Sequence, residues 1–141
     1  MITGSGAERP RGGAPTPQPV ITVGVGMRPG VTAAAVQGLL RRVAAEHGLE
    51  LGPAVVATLD RRIAEPGLLR AVAPRIPRGF TAEQLARVPV PTPSDQVAAA
   101  TGTPAVAEAA ALLAAGPGAV LLVPKTAGQG VTVAVARSPA R

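Results

Sequence analysis

Three stretches of the chain gather residue types suited to binding or transforming a small anion. The first is Gly24-Val25-Gly26-Met27-Arg28-Pro29-Gly30, with Thr32 two residues on. Glycines let a ligand approach the backbone, amide N–H groups at a helix start favour an anion, and Arg28 can add charge-assisted hydrogen bonds to a carboxylate or phosphate. The spacing is not that of a Walker loop, since no Gly-Lys-Ser/Thr follows. In the dinucleotide fingerprint Pro29 would hold the slot of the third glycine. A tight turn alone also accounts for these glycines.

The second stretch is Asp60-Arg61-Arg62-Ile63-Ala64-Glu65. It puts Asp60 at the end of a strand, where a dinucleotide fold holds its ribose-binding acid, and makes Asp60 and Glu65 the acid/base candidates. A solvated loop with surface ion pairs is the alternative. The third comprises Ser94 and Thr103, hydroxyls that each open a helix. They read either as simple caps or as ligand contacts at exposed helix N-termini. Lys125, the only lysine, falls just past a strand.

Composition removes several other chemistries. The chain has 141 residues, no Cys, one His and one aromatic residue, Phe80. Thiolate metal sites and Cys catalysis are excluded, and no metal or cofactor is expected. Base stacking and ring cages lack their aromatics. The net charge is +6, but its arginines are scattered, so no nucleic-acid groove is expected. No apolar run of 18 residues occurs, since Glu108 and several Gly and Pro interrupt the longest Ala-rich stretch, so no membrane span is expected. The absence of Cys and of a secretory h-region fits a cytoplasmic location. His47 falls in the last turn of a helix, where the helix dipole accounts for it.

The elements that must position the candidates follow from pattern. Leu, Ile, Val and Phe make up about a quarter of the chain, above the roughly 20% at which disorder becomes the default reading. Residues 1–19 hold four Gly and four Pro and read as a disordered leader; 20–137 form one domain, and 138–141 a short tail. Val20 to Val25 is a β-branched strand ending in the glycine turn. A helix capped by Thr32 carries Val36, Leu39, Leu40 and Val43 on one face and stops at Gly48. Val55 to Leu59 is a second strand. A short helix starts near Pro66 with Leu68, Leu69 and Val72 on its apolar side, and a short strand lies within 75–80. Thr81-Ala82-Glu83-Gln84 is a capping box opening a brief helix. The prolines at 89, 91 and 93 keep that segment extended. A helix follows from Ser94 to Thr101, and an Ala-rich one over 104–115 with Val106, Ala110 and Leu113 on one face. Ala119 to Val123 and Val131 to Ala136 are two strands whose seven-residue connection forces an antiparallel hairpin. The sum is a three-layer α/β fold: a mixed sheet of about five strands, mostly parallel with a C-terminal antiparallel hairpin, and helices on both faces.

Four blocks then show a resemblance: 23–32; Ala57-Thr58-Leu59-Asp60 with Glu65-Pro66-Gly67-Leu68-Leu69; Pro93-Ser94-Asp95-Gln96-Val97 with 102–111; and 121–125 with 130–136. In this order they resemble the CobE/CbiG C-terminal domain family of cobalamin biosynthesis across about residues 20–137. Met27 stands where many relatives have Ser, Cys or Arg, Arg62 where Lys is common, and Thr92 where Asn is common.

The resemblance implies a part in building the corrin ring. CbiG-like proteins open the lactone of cobalt-precorrin-5A and release acetaldehyde, and they carry an additional N-terminal region. With 19 residues before its first strand, this chain resembles the stand-alone CobE type, which is more a binder or carrier of corrin intermediates. Its expected ligand is a corrin or precorrin intermediate. Other cobalamin-pathway enzymes are candidate partners, and a homodimer is a candidate assembly. Two further readings stay open: a precorrin hydrolase using Asp60 or Glu65, and a nucleotide-binding module built on the glycine turn and Asp60.

Overall fold

The computed structural model describes residues 20–90 and 103–139, with side chains in the second segment from Val106 onward. The expected leader, the Ser94 helix and Pro91 and Pro93 lie outside the described residues. Five strands form one sheet in the order β3-β2-β1-β5-β4. They are β1 (Ile21–Met27), β2 (Val55–Leu59), β3 (Arg78–Phe80), β4 (Val120–Ala127) and β5 (Val131–Arg137). β1, β2 and β3 run parallel, β5 runs antiparallel to β1, and β4 is antiparallel to β5. This is the expected α/β architecture.

Alternation along β1 divides the core. Val23, Val25 and Met27 point to one face, together with Val56, Val131, Val133 and Val135. Helix α1 (Ala33–His47) covers this face with Val36, Leu39 and Val43, and α2 (Pro66–Val72) adds Leu68 and Val72. The opposite face carries Thr22 and Gly24 of β1, Ala57 of β2, and Ala134 and Ala136 of β5. Helix α4 (Thr103–Ala115) covers it with Ala107, Ala110, Ala111 and Ala115. Toward the β3 edge that face takes larger residues, Leu59 and Val106, and is completed by Leu85 of α3 (Ala82–Ala86).

Local signals act as the sequence leads one to expect. The Thr32 hydroxyl accepts the Ala35 N–H at 3.0 Å, and Gly48 closes α1 in the left-handed region at φ 63°. The Thr81–Gln84 capping box is complete, with bonds of 3.0 and 2.9 Å. Several boundaries differ. β1 continues through Met27, so Gly24 and Gly26 are strand residues: β5 pairs along its whole length, from Ile21 opposite Arg137 to Met27 opposite Val131. β3 is confined to Arg78–Phe80, and the Arg75 N–H donates to the Val72 carbonyl at 3.0 Å instead of joining a ladder. Leu69 is exposed, and Leu68 and Val72 alone carry the buried side of α2.

The largest shift is in the hairpin. β4 runs past Pro124 and Lys125 to Ala127, so Lys125 lies within a strand and the connection is only 128–130. β4 is an edge strand, where a proline's missing N–H interrupts no interior ladder, and register shifts between Leu121 and Val123 and between Val123 and Thr126 absorb the extra residues.

Candidate functional site

The carboxyl ends of β1 and β2 meet at one rim of the sheet, with the tip of the β4–β5 hairpin beside them. Three segments build this rim: the turn 28–31 after β1, residues 60–65 after β2, and the hairpin tip. They are stitched together. The Arg28 N–H donates to the Gly130 carbonyl at 3.0 Å, which binds the turn to the hairpin. The Gly30 N–H donates to Glu65 Oε1 at 3.0 Å, and Arg62 Nε donates to the Met27 carbonyl at 3.3 Å. Gly67 seals the join from below: a Cβ there would collide with the Val31 carbonyl oxygen.

This stitching decides what each candidate can offer. The N–H of Arg28 and of Gly30 are engaged as above, Val31 donates to the Arg28 carbonyl at 3.3 Å, and Pro29 has no N–H. The turn therefore presents no amide to an anion and differs from a phosphate-binding loop, whose amides point at the ligand. What it presents is a side chain: Arg28 is exposed on a backbone held from both sides. Gly24 lies under α4, where a Cβ would collide with the Ala107 carbonyl oxygen and sit 2.6 Å from the Ala111 nitrogen. The close approach it permits is that of the helix. Gly26 is buried opposite Thr132, and Thr32 is occupied as the α1 cap.

Among the acids, Glu65 holds the Gly30 amide, while Asp60 is exposed at the start of a 3-10 turn, Asp60–Arg62. Arg61 and Ile63 are exposed beside it. Thr103 begins α4, as expected of a residue at a helix start. Ser94 lies outside the described residues.

Two polar residues escape the sequence reading. Glu108 is completely buried on α4, and its Oε2 accepts the backbone N–H of Lys125 at 2.9 Å. The available signal was a single charge in an otherwise uncharged thirteen-residue helix. Arg75 lies at the opposite end of the sheet, where Nη1 reaches the Leu51 and Ala54 carbonyls at 2.8 and 3.0 Å and Nε reaches Val72 at 3.1 Å. Burial lowers its pKa from the ordinary arginine value. Nothing in the local sequence marks Arg75, because two of its three carbonyl partners lie 21 and 24 residues away.

A cavity of about 520 Å³ lies between the end of α3 and the C-terminal half of α4, lined by Gln84, Arg87, Leu112 and Leu113 among others. None of the rim residues lines it. Among the described residues, no group of three His, Cys, Asp or Glu side chains is placed to hold a metal ion, and no helix is long and apolar enough to cross a membrane.

A mixed α/β domain with a stitched, arginine-bearing rim at its strand ends is the class that fold and site define. The family model for the cobalamin synthesis G C-terminus matches residues 21–136, and the chain belongs to this family. Among solved structures, it is similar to CobE, a protein from the cobalamin (vitamin B12) biosynthetic pathway, with TM-score 0.75 and 31% identity over 91% of this chain and 97% of that one. It is also similar to the cobalamin biosynthesis protein chiG from Agrobacterium tumefaciens str. C58, with TM-score 0.63 and 32% identity over 84% and 98% of the two chains. A cobalamin biosynthesis protein G homolog from Sulfolobus solfataricus shares the fold, with TM-score 0.66 and 22% identity over 86% of this chain and 37% of that one. No curated protein matches in sequence. The chain is thus a cobalamin biosynthesis protein of the CobE/CbiG type.

Proposed function

We propose that the protein binds a corrin-ring intermediate through the carboxylates at the ring's periphery, with Arg28 as the principal contact. The observation that carries this reading is the exposed guanidinium on a turn held by the Gly130, Glu65 and Arg62 contacts. A cation carried on a backbone that is already held loses less freedom on binding than one on a loose loop. Corrin precursors carry many acetate and propionate groups, and guanidinium matches carboxylate in a two-pronged geometry. Arg61 and Arg62 add positive charge to the same rim, Asp60 flanks it, and the exposed Ile63 offers an aliphatic surface to the ring. With one aromatic residue in the chain, recognition rests on carboxylate contacts and aliphatic packing.

Titration of a polycarboxylate corrin such as cobyrinic acid, followed by its absorbance, tests the reading. Loss of one charge-assisted hydrogen bond in Arg28→Ala should weaken binding about tenfold. The melting temperature should barely move, because the side chain is exposed. An unchanged affinity refutes the assignment. Excess NAD(P) should not displace the corrin, since the turn has no amides to give a pyrophosphate.

A further inference from the structure

Arg78 is exposed on the edge strand β3, and its guanidinium carbon lies over the Phe80 ring, 5.3 Å from the centroid. Phe80 is the chain's one aromatic residue. It is half-buried and packs against the cluster that includes Ala57, Leu59 and Leu85, so the core anchors the ring. Residues 78 and 80 stand on the same face of the strand, the spacing that lets their side chains meet. No carboxylate among the described residues pairs with Arg78. A guanidinium over a ring face keeps its N–H edges for a carboxylate, so the ring steadies the cation without using its hydrogen bonds.

The sheet carries this pair to the rim. β3 runs parallel to β2, and Phe80 pairs with Leu59, the last residue of β2 and the one before Asp60. Gly79 brings the two segments close: a Cβ there would stand 2.9 Å from Ile63 Cγ2 and 3.1 Å from the Asp60 Cα, so the rim segment rests on β3 itself. The ring contact puts the Arg78 guanidinium beside the last residue of β3, at the end of the strand that adjoins Asp60. Arg28 follows β1, and β2 separates β1 from β3, so the two arginines rise from backbones about 10 Å apart. A tetrapyrrole-derived ring is of comparable width and carries carboxylates around its periphery. We propose that Arg78, steadied over Phe80, is a second carboxylate contact, and that the rim grips a polycarboxylate macrocycle with two separate arginines. Phe80 is the positioning residue of the second. This rests on the corrin-binding reading above.

The test is a set of affinities for cobyrinic acid with the full chain. Arg78→Ala should weaken binding about tenfold, the size expected for one charge-assisted contact. Combined with Arg28→Ala, the losses should multiply to about a hundredfold, because the two contacts are separate. Phe80→Leu should weaken binding about threefold, the worth of an exposed cation–ring contact, and should add nothing to Arg78→Ala. Phe80→Tyr keeps the ring and should bind like the original. An Arg78→Ala variant that binds normally overturns the inference, as does a double variant no weaker than Arg28→Ala alone. A Phe80→Leu change that weakens binding further in the Arg78→Ala background overturns the positioning role.

One measurement needs no variant. In the free protein the Phe80 ring current should move the Arg78 δ-methylene proton signals upfield, and signals at the ordinary arginine position overturn the pairing even where Phe80→Leu fails to fold. The two levels separate cleanly. Binding that Arg28→Ala weakens and Arg78→Ala does not removes this inference alone, whereas no corrin binding by the unaltered chain removes the functional reading as well.

Discussion

The two faces of the sheet are held by opposite means. On one, Val23, Val25, Val133 and Val135 interlock with Val36, Leu39, Val43, Leu68 and Val72, and helix and sheet are joined by side-chain volume. On the other, Gly24, Ala134 and Ala136 meet Ala107, Ala111 and Ala115, and the α4 backbone descends onto the strand itself. The Thr22 hydroxyl then donates to the Ala111 carbonyl at 2.7 Å, a bond between strand and helix that only such proximity allows. The first face tolerates little loss of volume and the second little gain. The second is also the face whose helix carries Glu108 to the Lys125 N–H of β4.

Substitutions that reverse these rules test the contrast, with stability read by chemical denaturation. The largest effect belongs to Gly24→Val. Its Cβ meets helix backbone that no rotamer change can move aside, so the loss should exceed about 3 kcal/mol or prevent folding. A stable Gly24→Val variant would mean that α4 can lift away and that the close approach is not a constraint. Leu68→Ala, on the voluminous face, should cost about 3 kcal/mol through lost burial and the cavity left behind. A loss under about 1 kcal/mol would show that this face repacks easily and would erase the contrast. Thr22→Val should cost about 1 kcal/mol, the net worth of one buried hydrogen bond. A neutral result would leave small size, without the hydroxyl, as what holds α4.

The parts of the fold legible in the sequence were those whose causes are local. Thr32 caps a helix because its own hydroxyl reaches three residues ahead, and Gly48 ends that helix because it lacks the Cβ that penalises positive φ. The Thr81–Gln84 box depends on four consecutive residues. The antiparallel hairpin followed from a connection too short for anything else. The glycine run misled because Val-Gly-Val-Gly suits both a loop and a strand packed under a helix, and the helix that decides the matter begins some 80 residues later. The rim residues were visible by type, and their family by the order of the blocks. Their states were not: that Glu65 is engaged by Gly30 depends on a contact across 35 residues.

Residue pattern alone therefore settled the class of fold, the order of the described elements and the family, and it put Arg28, Asp60 and Glu65 beyond the strand ends. Periodicity, caps and turn chemistry act within a few residues and can be read from the chain. Tertiary structure decided what those side chains are free to do. It consumed the amides of the glycine turn, moved Lys125 from a loop into a bulged strand, and buried Glu108 against it. Hydrogen bonds between distant segments form only when the sheet and α4 bring their partners together, and each donor N–H, once engaged, is no longer available to a ligand.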